Sequence, residues 1–408
     1  MTDAIVVIGG GQAAFSFAEQ IRRKDAESTL TVLCDEHELP YNRPPLSKQY
    51  VKAEIKKDKL LFRDRSWYER KNIDVRVSTP VAAVDISAQS IVLDSGDTLP
   101  YTKALMATGS VPKRLPASIG GELGNVLTLR NVIDADAFAK ELSFGKRVLI
   151  IGGGYIGLEA AAVARHFDAQ VCVLEMSERI LQRVACRETS DFFRKLHTDN
   201  GVEIKEKLSL DRLEGRSRVQ KAYFSDGSEM DVDLVLVGIG VEPNTQLAQK
   251  AGLAIDNGIV VNEHAQTSEP TIYAAGDCAC FPWRGTRVRL ESVQNAVDQA
   301  KVAALHASGT VVAYNPTPWF WSDQFDVTLQ IAGLNTGYNA VVRRKGSREG
   351  GESFWYFKDD QLLALDAVND PKTYVLGRKA LERDIPLTQQ HVADDSLDLK
   401  TLINEERN

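Results

Sequence analysis

A chain of 408 residues with 43% hydrophobic content is long enough for two or three domains, each with its own core. Its net charge of −7 argues against a general nucleic-acid binder, and five scattered cysteines with neither a CxxC pair nor a zinc spacing argue against a disulfide framework or a structural metal. The apolar run at Ala4 leaves no room for a charged leader, and the longest apolar stretch, 147–167, is broken by Gly152, Gly153 and Gly154 and contains Glu159, so a reduced, cytoplasmic protein with no membrane helix is expected.

Ala4 to Asp35 reads as an apolar strand, a glycine turn, a helix and a second strand ending on an acid. Ile73 to Val84 and Ser90 to Leu99 alternate like strands, with a turn at 94–97, and Leu105 to Ser110 is a short apolar run that stops at a glycine. The same series then recurs. Arg147 to Glu175 repeats the strand–turn–helix–strand pattern, Val202 to Lys207 and Lys221 to Phe224 repeat the hairpin around Asp226-Gly227, and Leu234 to Gly240 repeats the closing strand. Ile272 to Asp277 follows, then a helix over Ser292 to Ser308. Beyond Pro316 and Pro318, strands are expected at Thr328 to Ala332, Ala340 to Arg344, Ser353 to Lys358 and Gln361 to Val368, with a helix over Tyr374 to Arg383 and a frayed polar tail. Cys34 and Cys172 fall in apolar runs and are expected to be buried packing residues.

Two motifs carry chemistry. Gly9-x-Gly11-x-x-Ala14 follows the first strand: Gly9 permits the tight turn, Gly11 lets backbone approach a pyrophosphate, and Ala14 keeps helix and strand close. Asp35, with Glu36 as its rival, is placed to accept from a ribose hydroxyl. Gly152-x-Gly154-x-x-Gly157 is the fuller fingerprint, with Glu175 twenty-one residues after Gly154. A carboxylate there binds an adenosine 2′-hydroxyl and repels a 2′-phosphate, which favours NADH over NADPH, while Arg179 and Arg183 nearby could soften the preference. Ile156, inside the motif, and Gly240, at the end of the closing strand, are further candidates for this site. Glu159, expected on the first helical turn, is either an acid favoured by the helix dipole or the acceptor that orients a nicotinamide carboxamide.

Two dinucleotide sites without a substrate-like acid–base set suggest one bound flavin and one visiting nicotinamide, because a flavin is loaded with two electrons and can be emptied singly. GGGQAAF at 9–15, PYNRPPLSK at 40–48, ATGS at 107–110, TLR at 128–130, IIGGGYIGLE at 150–159, GIGVEPN at 238–244, YAAGD at 273–277, ESVQNA at 291–296 and PWFWSDQ at 318–324 make the chain resemble the ferredoxin-reductase components of bacterial aromatic-ring dioxygenases and cytochrome P450 systems. The resemblance implies a glutathione-reductase-type α/β fold: two Rossmann-like dinucleotide-binding domains plus a C-terminal α+β domain. It places the FAD domain at 1–112 and 241–318, the NAD domain at 113–240 and the C-terminal domain at 319–408.

It also implies roles. Arg43, Lys48, Ala107, Thr108, Gly109, Arg130 and Asp277 would contact FAD, with Lys48 near flavin N5 and O4 and Asp277 on the ribityl chain; the other role open to Asp277 is a helix N-cap. Val293 stands where some dioxygenase reductases carry a tryptophan, as in the P450-type members. The segment that holds a redox-active cysteine pair in disulfide reductases reads RPPLSK here, so electrons should leave directly from the flavin. Trp321, rather than Trp319, is the candidate for the exit toward a [2Fe–2S] ferredoxin, with core packing as its alternative, and a basic turn of Arg343, Arg344, Lys345 and Arg348 could steer docking. The expected activity is NADH-preferring, FAD-dependent NAD(P)H:ferredoxin oxidoreduction feeding an oxygenase. The rivals are a rubredoxin reductase, an NADH oxidase or peroxidase, and a redox-controlled flavin-bound interaction protein.

Overall fold

A computed structural model describes residues 3–346 and 349–405. They pack into two compact units, 1–43 with 55–111 and 241–316, and 44–54 with 112–240 and 317–408.

The first unit is built on a parallel sheet ordered 272–274, 103–106, 4–8, 29–33, 73–76. The central strand Ala4–Ile8 is apolar throughout because helices or loops cover both faces of a parallel sheet. The helix Gln12–Lys24 begins at Gly11 with neither a side-chain cap nor an acid in its first turn, and ends on Arg22, Arg23 and Lys24, which complement its dipole. Ala14, Phe17, Ala18 and Ile21 of this helix and Ala300, Ala303, Ala304 and Ala307 of the helix Val293–Ala307 share one buried core, where small side chains allow close approach. The alternating region 73–84 divides at 77–80: Ile73–Arg76 joins the parallel sheet, while Val81–Asp85 joins Ser90–Leu93 and Thr98–Pro100 in an antiparallel meander.

The second unit repeats this plan in the order 202–206, 170–175, 147–151, 234–237, 126–127, again parallel. The expected hairpin is a three-stranded meander here too, Leu210–Gly215, Val219–Phe224 and Glu229–Asp231. The C-terminal sheet is antiparallel, ordered 319–324, 327–333, 361–368, 352–358, 340–345. Its first strand, Trp319–Gln324, does not alternate in hydrophobicity and was not expected from the pattern.

Two helices that the pattern did not announce follow, Gln389–Ala393 and Leu399–Glu405, with Val392, Leu399 and Ile403 buried in the core; the final residues expected to fray, 406–408, lie outside the described residues. One expectation at this end needs correction. The basic turn is part of the edge strand Ala340–Lys345. There Arg343 pairs with Glu352 at 2.6 Å, and the Arg344 guanidinium donates to the carbonyls of Val392, Asp394 and Leu397 at 2.9, 2.8 and 2.6 Å. Arg348 lies outside the described residues. Among the described residues no helix is long and apolar enough to cross a membrane.

Asp366 is fully buried where the C-terminal sheet meets the helix Arg187–Asp199, accepting from Thr189 Oγ1 at 2.7 Å and from the Tyr356 hydroxyl. Burial pushes its carboxyl up to about 6 from 3.8. A raised acid contributes stability that is full below its unfolded value and is lost as pH rises through the folded one, so Asp366 should cost the fold up to about 3 kcal/mol between pH 4 and 7. Urea unfolding of Asp366→Asn should lack that loss. The difference from the parent separates Asp366 from His197, whose burial lowers its pKa to about 4 from 6.5 and acts with the opposite sign. A parent-minus-variant difference that stays constant with pH would remove Asp366 from the pH response.

Candidate functional site

Each glycine motif forms an open helix N-terminus. At Gly9 (φ +121°) a Cβ would lie 2.2 Å from the Ala107 carbonyl oxygen, and at Gly152 (φ +108°) it would lie 2.4 Å from the Gly238 carbonyl oxygen. Those contacts and the positive φ reserve both turns for glycine. Gly11 and Gly154, the N-caps of the two helices, have extended backbone, no capping side chain and nothing within 4 Å of where a Cβ would stand. The space beside each is therefore open while the first helical N–H groups lack a side-chain acceptor, which fits a pyrophosphate at both places.

Around the first cradle, Ala107 is buried and Gly109 has φ +66°. Thr108 Oγ1 donates to the Asn244 carbonyl at 2.6 Å and the Asn244 N–H to the Gly109 carbonyl at 2.9 Å, so this loop is fixed behind the glycine turn. Asp277 accepts from Ser110 Oγ at 2.9 Å. It precedes the strand Ala279–Trp283 rather than a helix, which removes the N-cap role; the next helix is capped by Ser292, with half-buried Val293 as its first residue. These groups fit a flavin dinucleotide: uncapped N–H donors for the pyrophosphate and a held carboxylate for the ribityl hydroxyls.

The acid of this cradle is offset from that of the second. Strand register matches Leu33 to Ile8 as it matches Leu174 to Ile151, so the counterpart of Glu175 is Cys34, with Asp35 one residue further on. Cys34 is buried against Gly10, whereas Asp35 is exposed and accepts the Glu36 N–H at 3.1 Å. Glu36 is engaged by the Tyr41 hydroxyl and by Arg43, both at 2.6 Å.

In the second cradle, Glu175 accepts the N–H groups of Gly153 and Ser177, each at 2.8 Å, and is thereby held at the strand end. Arg179 is not available to a 2′-phosphate in the way expected: its guanidinium donates to the carbonyls of Cys186 and Ala185 at 3.1 and 2.9 Å and to Ser190 Oγ. Arg183 is exposed, 3.8 Å from the Cβ position of Gly240, and Ile156 is exposed beside Gly154. The Arg130 N–H donates to Asp134 at 2.9 Å, at the start of the helix Val132–Glu141.

Glu159 lies in the second turn of the helix Tyr155–His166, not the first, and is only 2% exposed. Its carboxylate pairs with Lys48 Nζ at 2.6 Å and accepts from Ser47 Oγ at 2.5 Å and Ser322 Oγ at 2.7 Å. Neither motif alone announced this pair, and the two serines were missed entirely. Only once the strand Trp319–Gln324 is given does its period of two set Phe320, Ser322 and Gln324 on one face and Trp319, Trp321 and Asp323 on the other. Phe320 packs on Tyr155 with ring centroids 5.0 Å apart, and half-buried Trp321 lies 5.8 Å from Trp319.

All five cysteines are free and buried, and burial holds the thiols of Cys34 and Cys172 up at about 12 and that of Cys186 at about 11. Such thiols are inert packing groups rather than a redox pair.

Comparison with known proteins agrees with this geometry. A family model described as pyridine nucleotide-disulphide oxidoreductase matches residues 3–300, and one described as reductase C-terminal matches 319–403. Putidaredoxin reductase of Pseudomonas putida is 36% identical over 408 residues, covering 98% of this chain and 97% of the relative. Rhodocoxin reductase of Rhodococcus erythropolis is 37% identical over 403 residues, covering 98% and 94%. The crystal structure of the covalent putidaredoxin reductase–putidaredoxin complex matches with a TM-score of 0.96 at 35% identity, covering 100% of this chain and 99% of that one. By these matches the chain belongs to the pyridine nucleotide-disulphide oxidoreductase family and carries a reductase C-terminal domain.

Proposed function

We propose that the chain is an FAD-dependent NAD(P)H:ferredoxin oxidoreductase that prefers NADH and delivers single electrons to a [2Fe–2S] ferredoxin serving an oxygenase of aromatic-compound catabolism. The observation that carries this reading is the combination of two open nucleotide cradles with a buried Lys48–Glu159 pair and no reactive thiol. The relatives named reductases of putidaredoxin and rhodocoxin support the choice of acceptor. FAD, when bound, accepts two electrons as a hydride and releases them one at a time.

This chain's residues bind and orient. Gly9, Gly11, Ala14 and the loop Ala107–Gly109 hold one dinucleotide, with Arg43, Arg130, Asp277 and Val293 as its further contacts. Gly152, Gly154, Gly157 and Glu175 hold the other, with Ile156, Arg183 and Gly240 at its margin. Lys48 supplies a fixed positive charge where negative charge develops on hydride arrival. Trp321 and the cationic strand end at Lys345 serve the ferredoxin side. The five unpaired thiols support a cytoplasmic setting.

The test is anaerobic. Purified protein should be yellow, should bleach on addition of NADH, and should turn over NADH with a cognate ferredoxin from a purified panel. A folded but colourless product sinks the flavin assignment. Bleaching that no ferredoxin reverses faster than oxygen does sinks the acceptor assignment.

A further inference from the structure

The Glu159 carboxylate is the end of a longer buried chain. Ser322 Oγ, 2.7 Å from Glu159 Oε1, is also 3.1 Å from Gln324 Nε2, and Gln324 Oε1 is 2.8 Å from His197 Nε2. Ser322, Gln324 and His197 are each 0% exposed, so no solvent enters the sequence of bonds.

One charge sets the direction of every proton in this chain. An ionised carboxylate only accepts, so Ser322 must donate to Glu159. The Ser322 oxygen is then left to accept, which fixes Gln324 with its NH2 toward the serine and its carbonyl toward the histidine. That carbonyl also only accepts, so the His197 proton sits on Nε2. His197 Nδ1 is buried and has no hydrogen-bond partner among the described residues, which agrees with its carrying no proton, since a buried N–H with no acceptor would be left unsatisfied. Burial holds the ring neutral, with its pKa lowered to about 4. Three donors in series therefore converge on Glu159 Oε1, while Lys48 and Ser47 hold Oε2. Donors in series polarise one another, and in a dry interior they hold a carboxylate immobile.

We propose that Ser322, Gln324 and His197 are positioning residues that act through Glu159 to hold the Lys48 ammonium in place for hydride transfer. This rests on the role given to Lys48 in the proposed function. Without the Ser322 donor, Oε1 of a buried carboxylate is unsatisfied, and Glu159 turns to compete for its remaining partners, which displaces Lys48.

The experiment uses FAD-loaded protein and three readouts. In stopped-flow reduction by NADH, Ser322→Ala should slow the limiting rate about tenfold while leaving the NADH dissociation constant within about threefold, and Ser322→Thr, which retains the hydroxyl, should recover most of the rate. Competitive acetylation of Lys48 with acetic anhydride, read by mass spectrometry, should be several-fold faster in Ser322→Ala and near parental in Ser322→Thr. Imidazole nitrogen NMR should show His197 in the Nε2–H form from roughly pH 5 to 9. A parental rate in Ser322→Ala, unchanged Lys48 labelling, or a His197 proton on Nδ1 would each overturn the proposal. The labelling and NMR readouts do not depend on turnover, so they judge the chain of donors even if NADH fails to reduce the protein, a result that would instead refute the proposed function.

Discussion

Lys48→Ala is expected to slow flavin reduction by NADH by about a hundredfold or more and to destabilise the fold by about 3–5 kcal/mol. The Lys48 side chain is 11% exposed and that of Glu159 2%, so truncating the lysine leaves a carboxylate buried without its cation. Most of the stability loss comes from that stranded charge and not from the ion pair's own net worth, because two charges withdrawn from water repay their desolvation only when well paired. Lys48→Met with Glu159→Gln should therefore regain most of the stability without regaining the rate. Urea unfolding and anaerobic stopped-flow reduction of the same preparations separate the two effects. A double variant that recovers the rate would mean that the ammonium has no part in hydride transfer.

The second large effect is expected at Gly154. A Cβ there would meet nothing within 4 Å, and its backbone (φ −82°, ψ 179°) is extended, so Gly154→Val should change unfolding free energy by no more than about 1 kcal/mol, the scale of replacing a helix N-cap. The same side chain would occupy the space that a pyrophosphate needs at the helix N-terminus, so NADH should bind at least about a hundredfold more weakly while FAD content is retained. Gly152→Ala is the contrasting control. Its φ of +108° and a Cβ 2.4 Å from the Gly238 carbonyl oxygen should cost stability directly. Gly154→Val protein that binds NADH normally in equilibrium titration would remove the second cradle as the coenzyme site.

The difference between these two glycines shows how far local sequence reaches. A dinucleotide cradle is contiguous: strand, turn and helix N-terminus fall within a dozen residues, and each glycine has a local reason, positive φ at Gly9 and Gly152 and open space beside the helix N-terminus at Gly11 and Gly154, so both copies could be read directly. The repeated series of elements along the chain followed from the same repetition. The sequence alone also excluded an internal dithiol in the Arg43-to-Lys48 segment, since that needs only residue types.

Tertiary structure decided what depends on distant partners. Ser47 and Glu159 are 112 positions apart, and Glu159 and Ser322 a further 163, so no spacing rule could bring them to one carboxylate. The offset of Asp35 from Glu175 appeared only with strand register, because one residue along a strand turns a side chain to the other face. The helices 389–393 and 399–405 are too short to be stable by propensity and depend on burying Val392, Leu399 and Ile403 and on Arg344 binding carbonyls at 391–397. Sequence thus determined which ligands the chain can cradle, because those groups are backbone and local; only the fold determined which side chains govern the reaction, because their charges are meaningful only once they are buried together.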